Sequence, residues 1–242
     1  MAEAFYHDPA FTRYYDAANP WRADFDFCVK AAIGRTRVLD IGCGTGELAV
    51  AISATATVTG LDPAEAMLTH ARTRDGGDGV RWIKDDVRYF DLGETFDLIT
   101  MTGHAFQCIL TDEDQALALE RMKAHLSPDG RLLFDTRNPT FRAFETWTEK
   151  NDQILEARDQ GPIRTYATHE IVGEIVTYTT WFHHLETGRA QHTPCQLRFR
   201  SKPALDAAMQ AVGLDPSVCY GDWLGTPWSD DMPEIIYGGG HL

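Results

Sequence analysis

The segment VLDIGCGTGELA, residues 38 to 49, decides the fold of this chain. It begins as a short apolar strand and continues with glycine at every second position, Gly42, Gly44 and Gly46. Because glycine has no Cβ, such a run lets the chain turn sharply after the strand and lets a ligand lie against the main chain. The loop therefore predicts a ligand site at the end of the first strand of an α/β sheet.

Short apolar strands alternate with helical segments along the next ninety or so residues. Strands are predicted at 37–42, 57–62, 80–86, 96–102 and 131–137, with helices between them. Continuous apolar strands separated by helices are typical of a parallel sheet that is covered on both faces. We therefore expect an α/β sheet in this part of the chain.

The pattern changes after the fifth predicted strand. Residues 163–200 are rich in Thr, Tyr, Val and Trp and alternate polar with apolar side chains, which predicts two or three antiparallel strands. A helix at 202–213 and two further strands, at 217–223 and 233–239, follow. The sequence therefore predicts a seven-stranded α/β domain with an antiparallel β insertion after strand 5.

The composition of the chain restricts the class of protein to which it can belong. The chain has 242 residues, 43% of them hydrophobic, which suits a single domain spanning residues 1–242. With 36 acidic and 22 basic side chains, the net charge of -14 argues against a nucleic-acid partner, since such binding depends on Lys and Arg at phosphates. We find no membrane-length apolar run and no signal-peptide pattern, so we expect a cytoplasmic protein. Five widely spaced cysteines predict neither a disulfide framework nor a metal site.

Residues that end neighbouring strands should contact the same ligand, because a ligand of an open α/β sheet lies beyond the carboxyl ends of its strands. Asp62 ends the second strand, where a carboxylate can accept hydrogen bonds from both hydroxyls of a ribose. The structural alternative for Asp62 is a helix N-cap ahead of Pro63. Asp85 and Asp86 end the third strand, where a carboxylate can accept from an adenine amino group while the Val87 N–H meets a ring nitrogen.

Two further positions are candidates at the ends of strands. Asp40 lies two residues before the first glycine, where it either contacts a ligand or satisfies backbone donors at the turn. Thr102 and His104 follow the fourth strand. His104 is a candidate general base, although a backbone contact with the ligand or a role in orienting the loop explains it equally well.

These segments resemble the motifs of the class I S-adenosylmethionine-dependent methyltransferases. Five stretches match in order over about one hundred residues: VLDIGCGTGELA, VTGLDPAEAML, VRWIKDDVRYFDL, FDLITMTGHAFQCI and LSPDGRLLFDTRNP. The resemblance implies a seven-stranded, mostly parallel, doubly wound α/β sheet of order 3-2-1-4-5-7-6 with the last strand antiparallel. It also implies S-adenosylmethionine as cofactor and methyl transfer as the reaction.

The resemblance assigns roles to the candidate residues. Asp40 and the glycine loop would hold the methionine part, Asp62 the ribose, and Asp86 with Val87 the adenine, with Met67 packed on the adenine face. Asp85 fits the same strand end and stays an alternative to Asp86. The predicted cofactor contacts are Asp40, Gly42, Cys43, Gly44, Gly46, Asp62, Pro63, Met67, Asp85, Asp86, Val87, Thr102 and Trp21.

The remaining segments resemble small-molecule members of the family. Residues 163–200 are similar in placement to the antiparallel insertion of glycine N-methyltransferase and the amino-sugar N,N-dimethyltransferases, which roofs the substrate. Residues 1–35 look like the helical lid of the family, in which Tyr15 would approach the sulfonium with Trp21 behind it. We therefore predict a small-molecule acceptor, with an amine favoured over a hydroxyl or carboxylate, and Tyr15 and His104 as catalytic residues.

The sequence can be compared with two other classes of function. A nicotinamide-dependent oxidoreductase with a dinucleotide-binding fold should have GxGxxG, and its third glycine would fall where this chain has Glu47. A non-catalytic protein that binds S-adenosylmethionine as an effector stays open, because the binding residues are better specified than the catalytic ones. No metal site is predicted, and the sequence does not define the oligomeric state.

Overall fold

The computed structural model describes residues 4–157 and 161–242. Within these residues the strands, in chain order, are β1 (Arg37–Ile41), β2 (Thr57–Asp62), β3 (Val80–Lys84), β4 (Phe96–Met101), β5 (Leu126–Arg137), β6 (Gln153–Ala157), β7 (Gly161–Val172), β8 (Ile175–His184), β9 (Ala190–Arg198), β10 (Cys219–Tyr220) and β11 (Glu234–Tyr237). The α-helices are α1 (Ala4–His7), α2 (Pro9–Thr12), α3 (Tyr15–Ala18), α4 (Ala23–Ala32), α5 (Glu47–Ser53), α6 (Glu65–Thr73), α7 (Asp112–Ala124) and α8 (Lys202–Ala211).

The larger of two sheets has the strand order β3-β2-β1-β4-β5-β11-β10. Its strands from β1 to β5 pair in parallel, whereas β11 runs antiparallel to both β5 and β10. When the strands of this sheet alone are numbered along the chain, the order is 3-2-1-4-5-7-6 with the last strand reversed. The predicted fold class is therefore confirmed.

Two strands of the larger sheet differ most from their predicted bounds. β5 begins earlier than expected, because Leu126 pairs with Phe96 and the strand continues past a register shift. β10 is shorter than expected, because the chain turns back after it: the Gly221 N–H donates to the Thr226 carbonyl over 2.8 Å. Neither difference changes the order of the strands.

The smaller sheet is antiparallel, with the order β6-β7-β8-β9. Three of its strands, β7 to β9, cover the predicted segment 163–200, so the expected antiparallel insertion is confirmed. The fourth strand, β6, begins at Gln153, ahead of that segment, and is not predicted by the sequence. The sequence pattern does not reveal β6 because it is an edge strand that pairs with β7 alone and leaves Ile154 exposed. It therefore lacks the alternation of a half-buried strand.

Apolar side chains cover both faces of the larger sheet, as its apolar strands predict. On one face Leu39 and Phe134 pack against side chains of α7 and α8. On the other face Val38 and Leu98 pack against side chains of α4 and α5. Burial on both faces holds the carboxyl ends of β1, β2, β4 and β5 in one row, and this row positions the site.

The N-terminal helices pack on the smaller sheet. Phe5, Phe11 and Tyr14 lie with their ring centroids 6.1, 5.3 and 5.8 Å from that of Phe182 in β8. Helices α1 to α4 fall in the segment 1–35 that is predicted to be a helical lid, of which residues 1–3 lie outside the described residues. In the described part of the chain, no helix has the length and apolar character needed to span a membrane.

Gly46 tests the packing behind the glycine loop. Its φ is +82°, and a Cβ there would lie 2.5 Å from the Trp82 ring and 2.9 Å from the Ala71 Cβ. Gly93 has a φ of +65° but has nothing within 4 Å of the corresponding position. We expect Gly93→Ala to lower the free energy of unfolding by about 1 to 2 kcal/mol, the cost of a left-handed L-residue. Gly46→Ala should lower it by about 1 to 3 kcal/mol more, through overpacking.

Urea unfolding followed by circular dichroism measures both losses. Gly93→Ala is the matched control, since it changes the backbone preference without a clash. Equal losses in the two variants would contradict the close packing of Trp82 and α6 against the loop.

Candidate functional site

The loop after β1 is fastened to the end of β2. The N–H groups of Gly42 and Cys43 donate to the Leu61 carbonyl over 2.8 and 3.2 Å. The Gly44 N–H donates to Asp62 Oδ2 over 2.9 Å, and the Ala64 N–H donates to Asp62 Oδ1 over 2.8 Å. The carboxylate of Asp62 thus ties the glycine loop to the segment that leads into α6.

The sequence offers a helix N-cap as the alternative role of Asp62, but the N-cap of α6 is Ala64, and Asp62 instead accepts the Ala64 N–H ahead of the helix. Each carboxylate oxygen can accept a second hydrogen bond, so acceptor capacity for two ribose hydroxyls is left. Burial raises the pKa of Asp62 to about 6, although the bonds from Ala64 and Gly44 lower it. The ribose role of Asp62 stays a prediction.

Asp40 lies buried under the glycine loop at the end of β1. Thr100 Oγ1, on the neighbouring strand β4, donates to Asp40 Oδ1 over 2.7 Å. Burial raises the pKa of Asp40 to about 7, against the lowering effect of that hydrogen bond, and the charge of Asp62 raises it further. A cationic group of a ligand would favour the ionised form of this carboxylate.

A small cavity of about 40 Å³ opens above this carboxylate. Four of the predicted cofactor residues line it: Asp40, Gly42, Cys43 and Thr102. The lining residues that were not predicted as cofactor contacts are Tyr15, Asp16, Asn19, Arg22, Phe25, Thr45, Glu47, Leu48 and Gly103. Among these, Tyr15 is predicted as catalytic, and Thr45, Glu47 and Leu48 belong to the segment 38–49 that predicts the ligand site.

Asp16, in α3, connects the N-terminal segment 1–35 to the glycine loop by hydrogen bonds. We call its contacts with Thr45 and Arg74 the Asp16 latch. Its carboxylate accepts hydrogen bonds from Thr45 Oγ1 and from the Arg74 guanidinium, both over 2.5 Å. The Arg74 Nε–H also donates to the Thr45 carbonyl over 3.0 Å. Burial raises the pKa of Asp16, but hydrogen bonds from His70, Thr45 and Arg74 outweigh this and hold it at about 2. The latch therefore stays ionised at neutral pH.

The residues predicted to contact adenine lie outside this cavity. The Asp86 carboxylate is held by the Arg88 guanidinium over 2.8 and 2.6 Å, which lowers the pKa of Asp86. Asp85 Oδ1 accepts from the Asp86 N–H over 2.8 Å. The Val87 N–H has no acceptor among the described residues, so it is free for a ring nitrogen.

Four other predicted residues also lie apart from the cavity. Met67 is buried in α6, and Pro63 is exposed beside Asp62. Gly46 packs against the Trp82 ring. Trp21 is 42% exposed, and its Nε1–H donates to Asp26 over 2.9 Å on the outer side of the lid. The geometry thus gives no support to a cofactor contact by Trp21.

A larger cavity of about 320 Å³ adjoins the small one. Tyr15, Asn19 and Gly103 line both cavities. The other residues that line the larger cavity are Phe5, Tyr6, Ala18, His104, Cys108, Arg137, Trp147, Ala167, Tyr178, Thr180 and Leu197. Most of this wall is aromatic or apolar, and it comes from the lid, the strand ends and the smaller sheet.

Tyr15 stands at the junction of the two cavities. A Cβ on Gly44 would lie 3.8 Å from the Tyr15 ring, which places the ring over the glycine loop. Burial, with a smaller contribution from the charge of Asp62, raises the pKa of the Tyr15 hydroxyl. The hydroxyl is therefore protonated at neutral pH and acts as a hydrogen-bond donor rather than as a base.

His104 supplies the polar end of the larger cavity. It has a left-handed φ of +64°, and its N–H donates to Asp135 Oδ1 over 3.0 Å. Its Nε2 lies 2.9 Å from Glu234 Oε2 and 3.4 Å from Asp135 Oδ2. The candidate ligand atoms of the three residues all lie within 4.8 Å of one another, so this group can hold a metal ion.

Burial shifts all three groups toward their neutral forms. It lowers the pKa of His104 to about 4, and it raises the pKa of Asp135 to about 6 and that of Glu234 to about 7. The imidazole is therefore neutral at physiological pH. Its Nδ1 has no hydrogen-bond partner among the described residues, which leaves that nitrogen available to a molecule in the cavity.

Comparison with known proteins connects the fold to a family. Residues 38–130 match the model of a methyltransferase domain. A malonyl-[acyl-carrier protein] O-methyltransferase of Bacillus anthracis is 31% identical over 131 residues, 53% of this chain and 45% of that protein. The chain thus spans less than half the length of that relative.

Solved structures share the fold over nearly the whole chain. A S-adenosylmethionine-dependent methyltransferase of Clostridium acetobutylicum covers 96% of this chain and 98% of its own, with a TM-score of 0.79 and 17% identity. CalS10, an amino pentose methyltransferase of Micromonospora echinaspora, covers 95% of this chain and 96% of its own, with a TM-score of 0.71 and 22% identity. At such identities the likeness defines the fold alone.

The sheet order, the glycine loop and the matched domain together define the class: residues 38–130 match a methyltransferase domain, and the fold is shared with solved S-adenosylmethionine-dependent methyltransferases. The resemblance of its sequence motifs to that family is confirmed. S-adenosylmethionine, the predicted cofactor, is the methyl donor of the class, and the structure of CalS10 contains it.

Asp40 predicts how stability depends on pH. The pKa of Asp40 is raised to about 7 in the folded state, so ionisation of this side chain opposes folding. The protonated side chain makes its full contribution to the free energy of unfolding below the unfolded pKa, and this contribution is lost as the pH rises through about 7. We expect Asp40→Asn to gain stability relative to wild type by up to roughly 1 kcal/mol per pH unit between about pH 5 and 7. Urea unfolding at several pH values measures this difference.

The exposed Asp129→Asn is the control for this pH series, and its difference from wild type should stay constant. A constant difference for Asp40→Asn as well would contradict the raised pKa of Asp40.

Proposed function

We propose that this protein transfers the methyl group of S-adenosylmethionine to a small-molecule acceptor bound in the larger cavity. One observation carries the proposal: a cavity above the glycine loop and a mostly aromatic or apolar cavity under the smaller sheet adjoin at Tyr15, Asn19 and Gly103. A donor in the first cavity and an acceptor in the second would meet at these shared residues. Methyl transfer needs such an arrangement, since it requires the acceptor in line with the methyl group.

The described residues fit the cofactor by their donor and acceptor chemistry. The left-handed glycines Gly42 and Gly44 give a bare loop above Asp40, whose carboxylate suits a cationic amino group or sulfonium. Asp62 has acceptor capacity left for ribose hydroxyls, and the free Val87 N–H suits an adenine nitrogen. Arg22, at the rim of the small cavity, suits a carboxylate.

Tyr15, Asp16 and Asn19 of the lid line the cavity above the loop, beside Asp40 and Gly42. We propose that this part of the lid moves away from the loop when the methionine part of the cofactor enters. The Asp16 latch to Thr45 and Arg74 is the contact that has to yield or shift. Closure of the latch afterwards would exclude water from the reacting groups.

S-adenosylmethionine supplies, when bound, a methyl group that is already activated on a sulfonium. The protein then has to orient the acceptor and accept its proton. We propose that the Tyr15 hydroxyl donates a hydrogen bond at the junction of the cavities. We propose further that the acceptor's reacting group faces His104, whose cluster with Asp135 and Glu234 takes up the proton.

The acceptor that fits this cavity is a small molecule with an apolar body and one polar reacting group. Phe5, Trp147 and Tyr178 offer ring surfaces for the body, and His104 lies at the polar end. The likeness to an amino pentose methyltransferase supports an amine, and the likeness to a malonyl-carrier O-methyltransferase supports an oxygen. We therefore propose an amine or an oxygen as the methylated atom.

His104 tests the acceptor side of the proposal. Purified protein is incubated with S-adenosylmethionine and a panel of amines, phenols and carboxylic acids, and released S-adenosylhomocysteine and methylated product are measured by mass spectrometry. We expect at least one methylated product, and His104→Gln should lower its kcat by about 10²- to 10⁴-fold because acid–base help is lost.

The control for His104→Gln is Glu120→Gln, an exposed change on α7 that should leave kcat unchanged. S-adenosylmethionine binding by His104→Gln, measured by calorimetry, should also be unchanged. Full activity of His104→Gln would contradict its role, and the absence of product from every acceptor class would contradict methyl transfer.

Asp62 tests the cofactor side. Since Asp62 also anchors the loop, its substitution alone does not isolate a ribose contact, and a change in the ligand is needed as well. We expect wild type to bind S-adenosylhomocysteine about tenfold more tightly than its 2′-deoxy analogue, the value of one hydrogen bond to a charged group. Asp62→Asn should lose most of this preference, as measured by calorimetry with both ligands.

Asp85→Asn and Asp86→Asn keep the Asp62 contact and should keep the preference for the 2′-hydroxyl. An unchanged preference in Asp62→Asn would place the ribose elsewhere.

A further inference from the structure

Three side chains from separate elements converge at the polar end of the larger cavity. His104 follows β4, Asp135 lies in β5 and Glu234 begins β11. His104 Nε2 is 2.9 Å from Glu234 Oε2 and 3.4 Å from Asp135 Oδ2. One imidazole and two carboxylates thus point at a common centre, although they are far apart in the sequence.

One oxygen of this cluster lacks a partner. Asp135 is fully buried, and its Oδ2 has no hydrogen-bond donor among the described residues. Its other oxygen, Oδ1, accepts the His104 N–H, which fixes the carboxylate so that Oδ2 faces the imidazole. A buried carboxylate oxygen without a donor is costly, so its presence needs an explanation.

A proton on the His104 imidazole does not give Asp135 Oδ2 a hydrogen-bond donor. A single N–H on Nε2 can donate to Glu234 at 2.9 Å, and Asp135 Oδ2 is then still without a donor at 3.4 Å. Arg22 and Arg137 weaken the negative potential here, yet neither forms an ion pair with Asp135 or Glu234 among the described residues. Both carboxylates thus lack a cationic partner.

The buried charge extends beyond the three residues. Asp24, in α4, also has a buried oxygen, Oδ1, without a hydrogen-bond partner, and its charge acts on His104, Asp135 and Glu234. Its other oxygen is paired with the Arg22 guanidinium over 3.3 Å, so Asp135 and Glu234 are the two carboxylates that lie against the neutral imidazole. A cation is the species that this arrangement stabilises.

We propose that His104 Nε2, Asp135 Oδ2 and Glu234 Oε2 bind one divalent transition-metal cation. Ligands at about 2.0 to 2.2 Å from one ion lie roughly 3.0 to 3.5 Å apart in octahedral or tetrahedral geometry, close to the 2.9 and 3.4 Å between these atoms. A mixed nitrogen and oxygen set suits Mn²⁺, Fe²⁺ or Zn²⁺ better than Mg²⁺ or Ca²⁺, which prefer oxygen alone.

Of the three ligand residues, His104 lines the larger cavity, so the proposed cation lies beside that cavity. Three protein ligands leave coordination positions for an oxygen or amine of the acceptor. A hydroxyl bound to the cation would lose its proton to water at a lower pH, and the three side chains would then act as cation ligands instead of as the proton acceptor. This catalytic part rests on the proposed function, whereas binding of the cation does not.

Cation binding is tested without cofactor or acceptor. The full chain is dialysed against EDTA, returned to buffer with about 150 mM KCl to screen surface charge, and titrated with MnCl₂ in a calorimeter, with Mn²⁺ electron paramagnetic resonance as a second readout. We expect one saturable site per chain. Asp135→Asn and Glu234→Gln should each weaken it by at least about tenfold.

Asp91→Asn is the matched control, since it removes the carboxylate of another His–Asp pair, 3.7 Å from His125, that has no third ligand. It should leave Mn²⁺ affinity unchanged. Glu234 lies near the end of the sheet and is partly exposed, so Glu234→Gln decides the test if Asp135→Asn does not fold. No saturable binding of Mn²⁺ or Zn²⁺ at roughly 1 mM, or wild-type affinity in both variants, would overturn the proposal.

A second experiment separates the cation from the reaction. If methylated product is found, EDTA treatment should lower turnover and Mn²⁺ should restore it in wild type but not in Glu234→Gln. Unchanged turnover in EDTA would overturn the catalytic part. One Mn²⁺ per chain without any methylated product would support the cation site and contradict the proposed function.

Discussion

The hydrogen bond from the Gly44 N–H to the Asp62 carboxylate is the contact on which the rest of the site depends. It bends the loop after β1 back over the end of β2, while the other oxygen of the same carboxylate holds the Ala64 N–H ahead of α6. Burial raises the pKa of Asp62 to about 6, so the contact has its full charge only above that pH. The bend exposes the backbone above Asp40 and creates the surface on which a cofactor can lie.

The two cavities follow from how the lid and the smaller sheet are placed on this loop. Asp16 latches α3 to the loop, and the rings of Phe5, Phe11 and Tyr14 fix the same segment on β8. The lid is therefore held from both sides, which brings Tyr15 over the loop and encloses the larger cavity. Its polar end is the cluster around His104, where the charge of the site is concentrated.

The sequence predicts those parts of the molecule that local patterns encode. The order of the larger sheet and the glycine loop follow from apolar strands, helices and glycine spacing, and both are found. The edge strand that begins at Gln153 escapes prediction, because an exposed edge lacks a pattern. The cluster of His104, Asp135 and Glu234 escapes it too, because residues from three elements meet only through the strand order.

Two site predictions show a further limit. The sequence offers an N-cap or a ribose contact for Asp62, but Ala64 is the N-cap, and the Asp62 carboxylate instead holds the Gly44 and Ala64 N–H groups with lone pairs left over. Trp21 is predicted as a contact because it lies in the lid motif, but it falls between α3 and α4, and its Nε1–H donates to Asp26 instead. Motif likeness therefore predicts which segment is near the ligand better than which side chain contacts it.

A crystal structure of the full chain with S-adenosylhomocysteine tests the central claim most directly. We predict that the homocysteine part lies between Asp40 and the glycine loop, that the adenosine extends toward Asp62 and Val87, and that the sulfur faces the junction at Tyr15. Clear density for the ligand at any other place on the chain, or none at saturating concentration, would contradict the account.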